Sequence, residues 1–163
     1  MRIGHKYHLN KLEHRFANDF SSPVFPILAE FYFKLSRFNK AKKVCTIGLK
    51  HNPNNTIGQY VLAKIYLLED NYEGAEELLK NVINNDPLNF KALRLFINVK
   101  IVLKHNISTF NQFIKKAYNI NPSDKKIKKL YNKFNIKAQE ENKKVNIQRK
   151  KKAIIINEKL ATK

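Results

Sequence analysis

Cysteine is nearly absent from this chain: Cys45 stands alone among 163 residues, which excludes an intramolecular disulfide framework and any zinc site built on several thiolates. The four glycines (Gly4, Gly48, Gly58, Gly74) are isolated from one another, so there is no glycine-rich loop to cradle a phosphate. No apolar run approaches the ~18 residues that a membrane-spanning helix needs. The opening MRIGHKYHLNKLEHRF also lacks the apolar stretch of a signal peptide. A soluble, cytoplasmic protein with no membrane span is the expectation. Acidic residues are scarce too, 13 against 32 Lys and Arg, for a formal net charge of +19.

What is present suffices for a core. Hydrophobic residues make up 43% and aromatics 11%, enough for one packed domain burying about two-thirds of its unfolded surface. The positive charge is uneven: residues 125–163 hold 14 basic and 3 acidic side chains, a net +11 over less than a quarter of the chain. Such a tail attracts polyanions such as RNA, DNA or an acidic surface, with Lys143, Lys144, Arg149, Lys150, Lys151 and Lys152 as its densest cluster. Against a dedicated partner stands the composition itself. Lysine supplies 27 of the 32 cations, and Asn (21) and Ile (17) are also plentiful, the bias of A/T-rich coding. The small arginine share also argues against specific phosphate recognition, which favours the guanidinium fork.

Self-comparison exposes a period of 34. Ser22–Asn55 (SPVFPILAEFYFKLSRFNKAKKVCTIGLKHNPNN) aligns with Thr56–Asn89 (TIGQYVLAKIYLLEDNYEGAEELLKNVINNDPLN). The matched pairs are Leu28/Leu62, Ala29/Ala63, Tyr32/Tyr66, Phe38/Tyr72, Ala41/Ala75, Cys45/Leu79, Leu49/Ile83 and Pro53/Pro87. Leu28, Ala29 and Tyr32 form one helical stripe, and Ala41, Cys45 and Leu49 a second. Small alanines let two helix backbones approach closely. Asn52–Pro53 and Asp86–Pro87 stop each second helix, and Asn55–Thr56 and Asn89 offer side-chain oxygens to cap the next. A degraded third unit spans Phe90–Asp124: Phe96-Ile97 replaces Leu-Ala, Lys100 stands in place of Tyr, and Pro122 arrives one residue late. The extra residue is expected in the Lys104–Ser108 turn, with a second helix over Thr109–Asn119.

These residues resemble the tetratricopeptide-repeat family, whose 34-residue helix–turn–helix carries Leu-Ala, Tyr, Ala and a closing Pro at these offsets. The resemblance implies an all-α fold: an α-solenoid of antiparallel helix pairs, about three repeats, whose first helices line a concave groove that holds a protein or peptide segment. The expected organisation is an N-terminal capping helix within 1–21 (over His8–Asn18) and a repeat domain over 22–136. That domain comprises repeats 22–55, 56–89 and 90–124 and a capping helix 125–136. A basic tail, 137–163, follows. The cap after Pro122 is started by Ser123-Asp124, buries Ile127, Leu130, Tyr131 and Phe134, and exposes Lys125, Lys126, Lys128, Lys129 and Lys133. Carried over to this sequence, the groove candidates are Glu30, Phe33 and Lys34, then Tyr60 and Lys64, then Lys91, Arg94 and Asn98. The carboxylate clamp by which some members hold chaperone C-termini uses Lys, Asn, Asn, Lys and Arg. The matching positions here are Pro26, Glu30, Val61, Lys91 and Leu95. Only Lys91 agrees, so that subclass is disfavoured.

Catalytic chemistry finds no constellation. His5 and His8 lack a third ligand, so no metal is expected. Cys45 lies on an apolar stripe with no activating histidine. The acids Glu69, Asp70, Glu73, Glu76 and Glu77 gather near a helix N-terminus, where the dipole favours them. The expected function is a non-catalytic adaptor without cofactor, binding an unidentified protein partner. Polyanion binding through the lysine-rich C-terminal region is the alternative. The apolar run Ala153–Ile156 makes self-association a further expectation.

Overall fold

Asparagine side chains start three of the described helices, and a left-handed residue closes each helix pair's first member. The structure, a computed structural model, describes residues 3–134, with side chains from residue 8 onward. All regular structure among these residues is helical. The chain divides into two units, Met1–Asn106 and Ile107–Lys163, and the division falls inside the unit expected over 90–124.

The first unit contains α1 (Ile3–Asn18), α2 (Phe25–Lys34), α3 (Phe38–His51), α4 (Thr56–Leu68), α5 (Tyr72–Asn85) and α6 (Phe90–Val102). Helix α1 begins at Ile3, earlier than the expected start at His8, because nothing between them stops a helix. The side-chain oxygens of Asn55, Asn71 and Asn89 accept hydrogen bonds from the backbone N–H groups of Gly58, Gly74 and Ala92 at 2.8, 3.0 and 3.0 Å. Each satisfies a donor that the first turn leaves unpaired.

Each pair turns on a left-handed residue. Ser36, Asp70 and Lys104 have φ of 57°, 56° and 55° and stand 34 residues apart. In each case the next N–H donates to a carbonyl five residues upstream: Arg37 to Tyr32, Asn71 to Tyr66 and His105 to Lys100, at 2.8–3.0 Å. This is the bond that closes a helix C-terminus around a left-handed residue. The period therefore survives in the backbone up to Lys104, even where the third unit's side chains depart from it. Three residues separate α2 from α3 and α4 from α5, whereas four separate α6 from the helix that starts at Ile107. The extra residue sits at His105 or Asn106, inside the expected turn.

Packing follows the stripes. Helix α2 lies against α1, α3 and α4; α3 also touches α4, and α5 touches α4 and α6. Ala29, Ala41, Ala63 and Ala75 are wholly buried, as helix crossings require. Phe25 is wholly buried as well, its ring filling the space above two glycines: a Cβ at Gly48 would lie 2.2 Å from its Cγ, and one at Gly58 2.5 Å from its Cε2. The Tyr32 hydroxyl donates to Glu13 and ties α1 to α2.

In the second unit α7 (Ile107–Ile120) buries Phe110, Ile114 and Ala117 on one face. It is longer at both ends than the expected Thr109–Asn119, since Ile107 and Ile120 extend the same apolar pattern. Residues 125–134 are helical, started by Asp124, whose Oδ1 accepts from the N–H of Ile127 at 3.0 Å. Ile127 is buried, Tyr131 stacks on Tyr118 with ring centroids 4.1 Å apart, and the five lysines of this helix are exposed.

Candidate functional site

The outward stripes of α2, α4 and α6 carry every groove candidate. On α4 the stripe is Ile57, Tyr60, Lys64 and Leu68; on α6 it is Lys91, Arg94, Asn98 and Val102. Both follow steps of three, four and four, which keeps one helical face, and each member of the first maps onto its counterpart at an offset of 34.

Lys64 is the hub. Its ammonium bonds to Glu30 Oε2 of α2 at 2.8 Å, lies 4.1 Å from the centroid of the Phe33 ring and 5.3 Å from that of Tyr60. A cation held over two ring faces and paired with a carboxylate has a fixed position. Lys34 approaches the other Glu30 oxygen at 4.0 Å from an exposed side chain. Five of the eight candidates are thus brought together: Glu30, Phe33, Lys34, Tyr60 and Lys64. Glu30, which alone would repel an acidic partner, is neutralised by two cations.

Helix α6 joins electrostatically. Burial pushes the Tyr60 phenol above its ordinary range, the Glu30 charge adds to the shift, and the Arg94 guanidinium opposes it. Lys91 and Arg94 are exposed. Asn98 is half-buried, with an Oδ1 that has no hydrogen-bond partner. Of the clamp-equivalent positions, Pro26 and Val61 are buried.

The sequence reading passed over the apolar members of these stripes. Ile57, Leu68, Ile101 and Val102 are 59%, 56%, 38% and 51% exposed, and helical spacing from Tyr60 and Arg94 was the signal that would have found them. A separate hollow of about 350 Å³ between α1, α2 and α3 is lined by Phe16, Phe20, Leu28, Tyr32, Lys40 and Lys43 among others and includes none of the groove candidates.

Elsewhere chemistry is muted. Cys45 is wholly buried, and burial pushes its thiol up to about 12, with Lys64 drawing it down and Glu30 raising it. Among the described residues no group of three His, Cys, Asp or Glu side chains is placed to hold a metal, and no helix is long and apolar enough to cross a membrane. Lys143, Lys144, Arg149, Lys150, Lys151, Lys152 and Ala153–Ile156 lie outside the described residues.

No family model matches the chain, and no curated protein matches it. Solved structures do. YrrB, a TPR protein with an unusual peptide-binding site, superposes with a TM-score of 0.67 at 11% identity, over 74% of this chain and 62% of that one. The chain thus spans under two-thirds of YrrB's length. The MamA RS-1 ArsTM double mutant gives 0.68 at 18% identity, covering 83% of this chain and 76% of its own. The TPR2B domain of yeast Sti1, solved as its pHsp70 complex, gives 0.55 at 21%, covering 64% and 88%. The fold is that of the tetratricopeptide-repeat proteins: stacked helix pairs with a 34-residue period. Identities this low establish the fold alone.

Proposed function

We propose that this chain is a non-catalytic adaptor that holds a segment of a partner protein against the outward stripes of α2, α4 and α6. The observation that carries this reading is the Glu30–Lys64–Phe33–Tyr60 cluster, which fixes a charged and aromatic surface on successive first helices. Pre-organisation of that kind lowers the entropy lost on binding. Structural neighbours support it: YrrB has a peptide-binding site, and the Sti1 TPR2B domain was solved with pHsp70. The buried, protonated Cys45 offers no nucleophile to a competing catalytic reading.

The test is an affinity pull-down with the full chain and with Tyr60→Ala/Arg94→Glu, at low and high salt, after circular dichroism has shown both to be folded. A partner captured by the natural sequence at both salts and lost from the variant supports the reading. Equal capture by the variant overturns it.

The net +11 over residues 125–163 favours a second reading, non-specific binding of RNA, DNA or an acidic surface by the C-terminal region. Such binding falls steeply with salt. Deleting residues 137–163 should abolish it and leave capture at the helix stripes intact.

A further inference from the structure

Seven large hydrophobic side chains are exposed among the described residues: Phe20, Ile27, Ile57, Leu68, Leu88, Ile101 and Val102. Scattered singly they would need no explanation. Three of them, Ile57, Leu68 and Val102, fall on the stripes of α4 and α6 that also carry Tyr60, Lys64, Lys91 and Arg94, and a fourth, Ile101, adjoins them. Leu68 and Val102 are equivalent by the 34-residue offset and close the C-terminal ends of the two stripes, with Ile101 beside Val102. At the N-terminal end of the α6 stripe stand Lys91 and Arg94, both exposed, with Tyr60 of α4 in the position equivalent to Arg94. On α6 the stripe is graded, basic toward its N-terminal end and apolar toward its C-terminal end, where Leu68 of α4 holds the position equivalent to Val102. The one carboxylate among the eight groove candidates, Glu30, is committed to Lys64 and Lys34.

We propose that this face selects an extended segment in which an acidic residue and a bulky apolar residue are separated by three or four positions, the acid toward Lys91 and Arg94 and the apolar side chain on Leu68, Ile101 and Val102. The proposal rests on the groove reading above and adds the partner's chemistry to it. The spacing comes from the helix. Arg94 and Val102 are eight residues apart on α6, about 12 Å along its axis, and an extended chain covers that span in three to four residues at about 3.3 Å each. Charge fixes the sign of the polar contact: four cations against one neutralised carboxylate attract an acidic side chain and reject a basic one. Exposed apolar side chains at the other end gain by being covered, which neither a purely acidic segment nor a nucleic-acid backbone would do.

The test is selection of a displayed library of random decapeptides on the full chain, followed by fluorescence polarisation of one labelled peptide from the enriched set. Enriched peptides should pair Asp or Glu with Leu, Ile, Phe or Val three or four residues apart. Binding of the chosen peptide should weaken about tenfold in Leu68→Ser/Val102→Ser. Both side chains are more than half exposed, so this variant keeps its fold. Lys91→Glu should weaken the same peptide, and in a manner that high salt suppresses. Acidic peptides with no apolar preference, or binding unchanged by the Leu68 and Val102 substitutions, would overturn the proposal and leave the groove reading standing. Failure to enrich any peptide, or enriched peptides indifferent to Tyr60→Ala/Arg94→Glu, would overturn both.

Discussion

Replacing Gly48 by alanine should destabilise the protein, although alanine at an interior helix position ordinarily stabilises by about 0.5–1 kcal/mol over glycine. The reason lies across the interface. A Cβ at Gly48 would stand 2.2, 2.3 and 2.6 Å from Cγ, Cδ2 and Cδ1 of Phe25, where ordinary contact begins near 3.4 Å. The ring must give by more than an ångström. It has nowhere to go, because the space beyond it is that left by Gly58, whose own Cβ would meet the ring at 2.5 Å, and the side chain is wholly buried. Overpacking of this kind costs about 1–3 kcal/mol, and expelling the ring instead would forfeit most of the ~2–3 kcal/mol its burial contributes. Either route outweighs the propensity gain and leaves a net loss of about 1–2 kcal/mol. For a unit of roughly 100 residues that lowers Tm by about 4–16 °C, readable as helix ellipticity during thermal melting. Phe25→Leu/Gly48→Ala should recover part of the loss, with a coupling energy of at least ~1 kcal/mol in a double-mutant cycle. A Gly48→Ala variant that melts higher than the natural sequence would refute the wedge.

Three further outcomes follow from the fold. Ser36→Gly and Lys104→Gly should each stabilise by about 0.5–1 kcal/mol in urea unfolding, because L side chains are strained at φ near +56°; Ser36→Ala should give no such gain. Glu76→Ala should cost about 1–3 kcal/mol, since Lys100, only 16% exposed and 2.5 Å from the carboxylate, would lose its counter-charge and keep the His105 Nδ1 contact at 3.0 Å; Glu76→Ala/Lys100→Met should restore most of it. The Cys45 thiol, held up at about 12 in the native state, favours the protonated form there. Its contribution is complete below the unfolded pKa near 9 and is lost as pH rises toward 12, by about 1.4 kcal/mol per unit. Urea midpoints for the natural sequence should fall more steeply between pH 9 and 11 than those of Cys45→Ala.

The helix pairs were legible because the 34-residue period repeats in residue size: alanines at crossings, aromatics around them, prolines after each second helix. The apolar pattern located the elements, and only their ends moved, at α1 and α7. Less visible was anything that depends on a partner distant in sequence. Gly48 and Gly58 look inert on paper because a glycine acts through the space it leaves, and the ring that fills that space is Phe25, far from both. Asn71 caps α5 as Asn55 and Asn89 cap α4 and α6, but in the sequence it stands among acids that make the same turn look like a charge cluster. Glu30 and Lys64 stand one repeat apart, so their pairing was readable from the period, yet a search by charge sign treats each alone. The exposed apolar residues of the stripes escaped for a similar reason: leucine and valine on a helix suggest core, and only packing shows which of them are left outside. Lys100 in the position of a tyrosine reads as decay of the repeat; with Glu76 at 2.5 Å it is a compensated exchange of an aromatic for an ion pair.

The central claim is that ligand meets the first helices of successive repeats. The most direct measurement is the set of backbone amide shifts of the isotopically labelled full chain during titration with a selected acidic–apolar decapeptide. The predicted result is perturbation of the residues around Tyr60, Lys64, Leu68, Arg94, Asn98 and Val102, with α3 and α5 unmoved. Perturbation confined to Lys143–Lys152, or spread over α3 and α5 while the α4 and α6 stripes stay still, would contradict it.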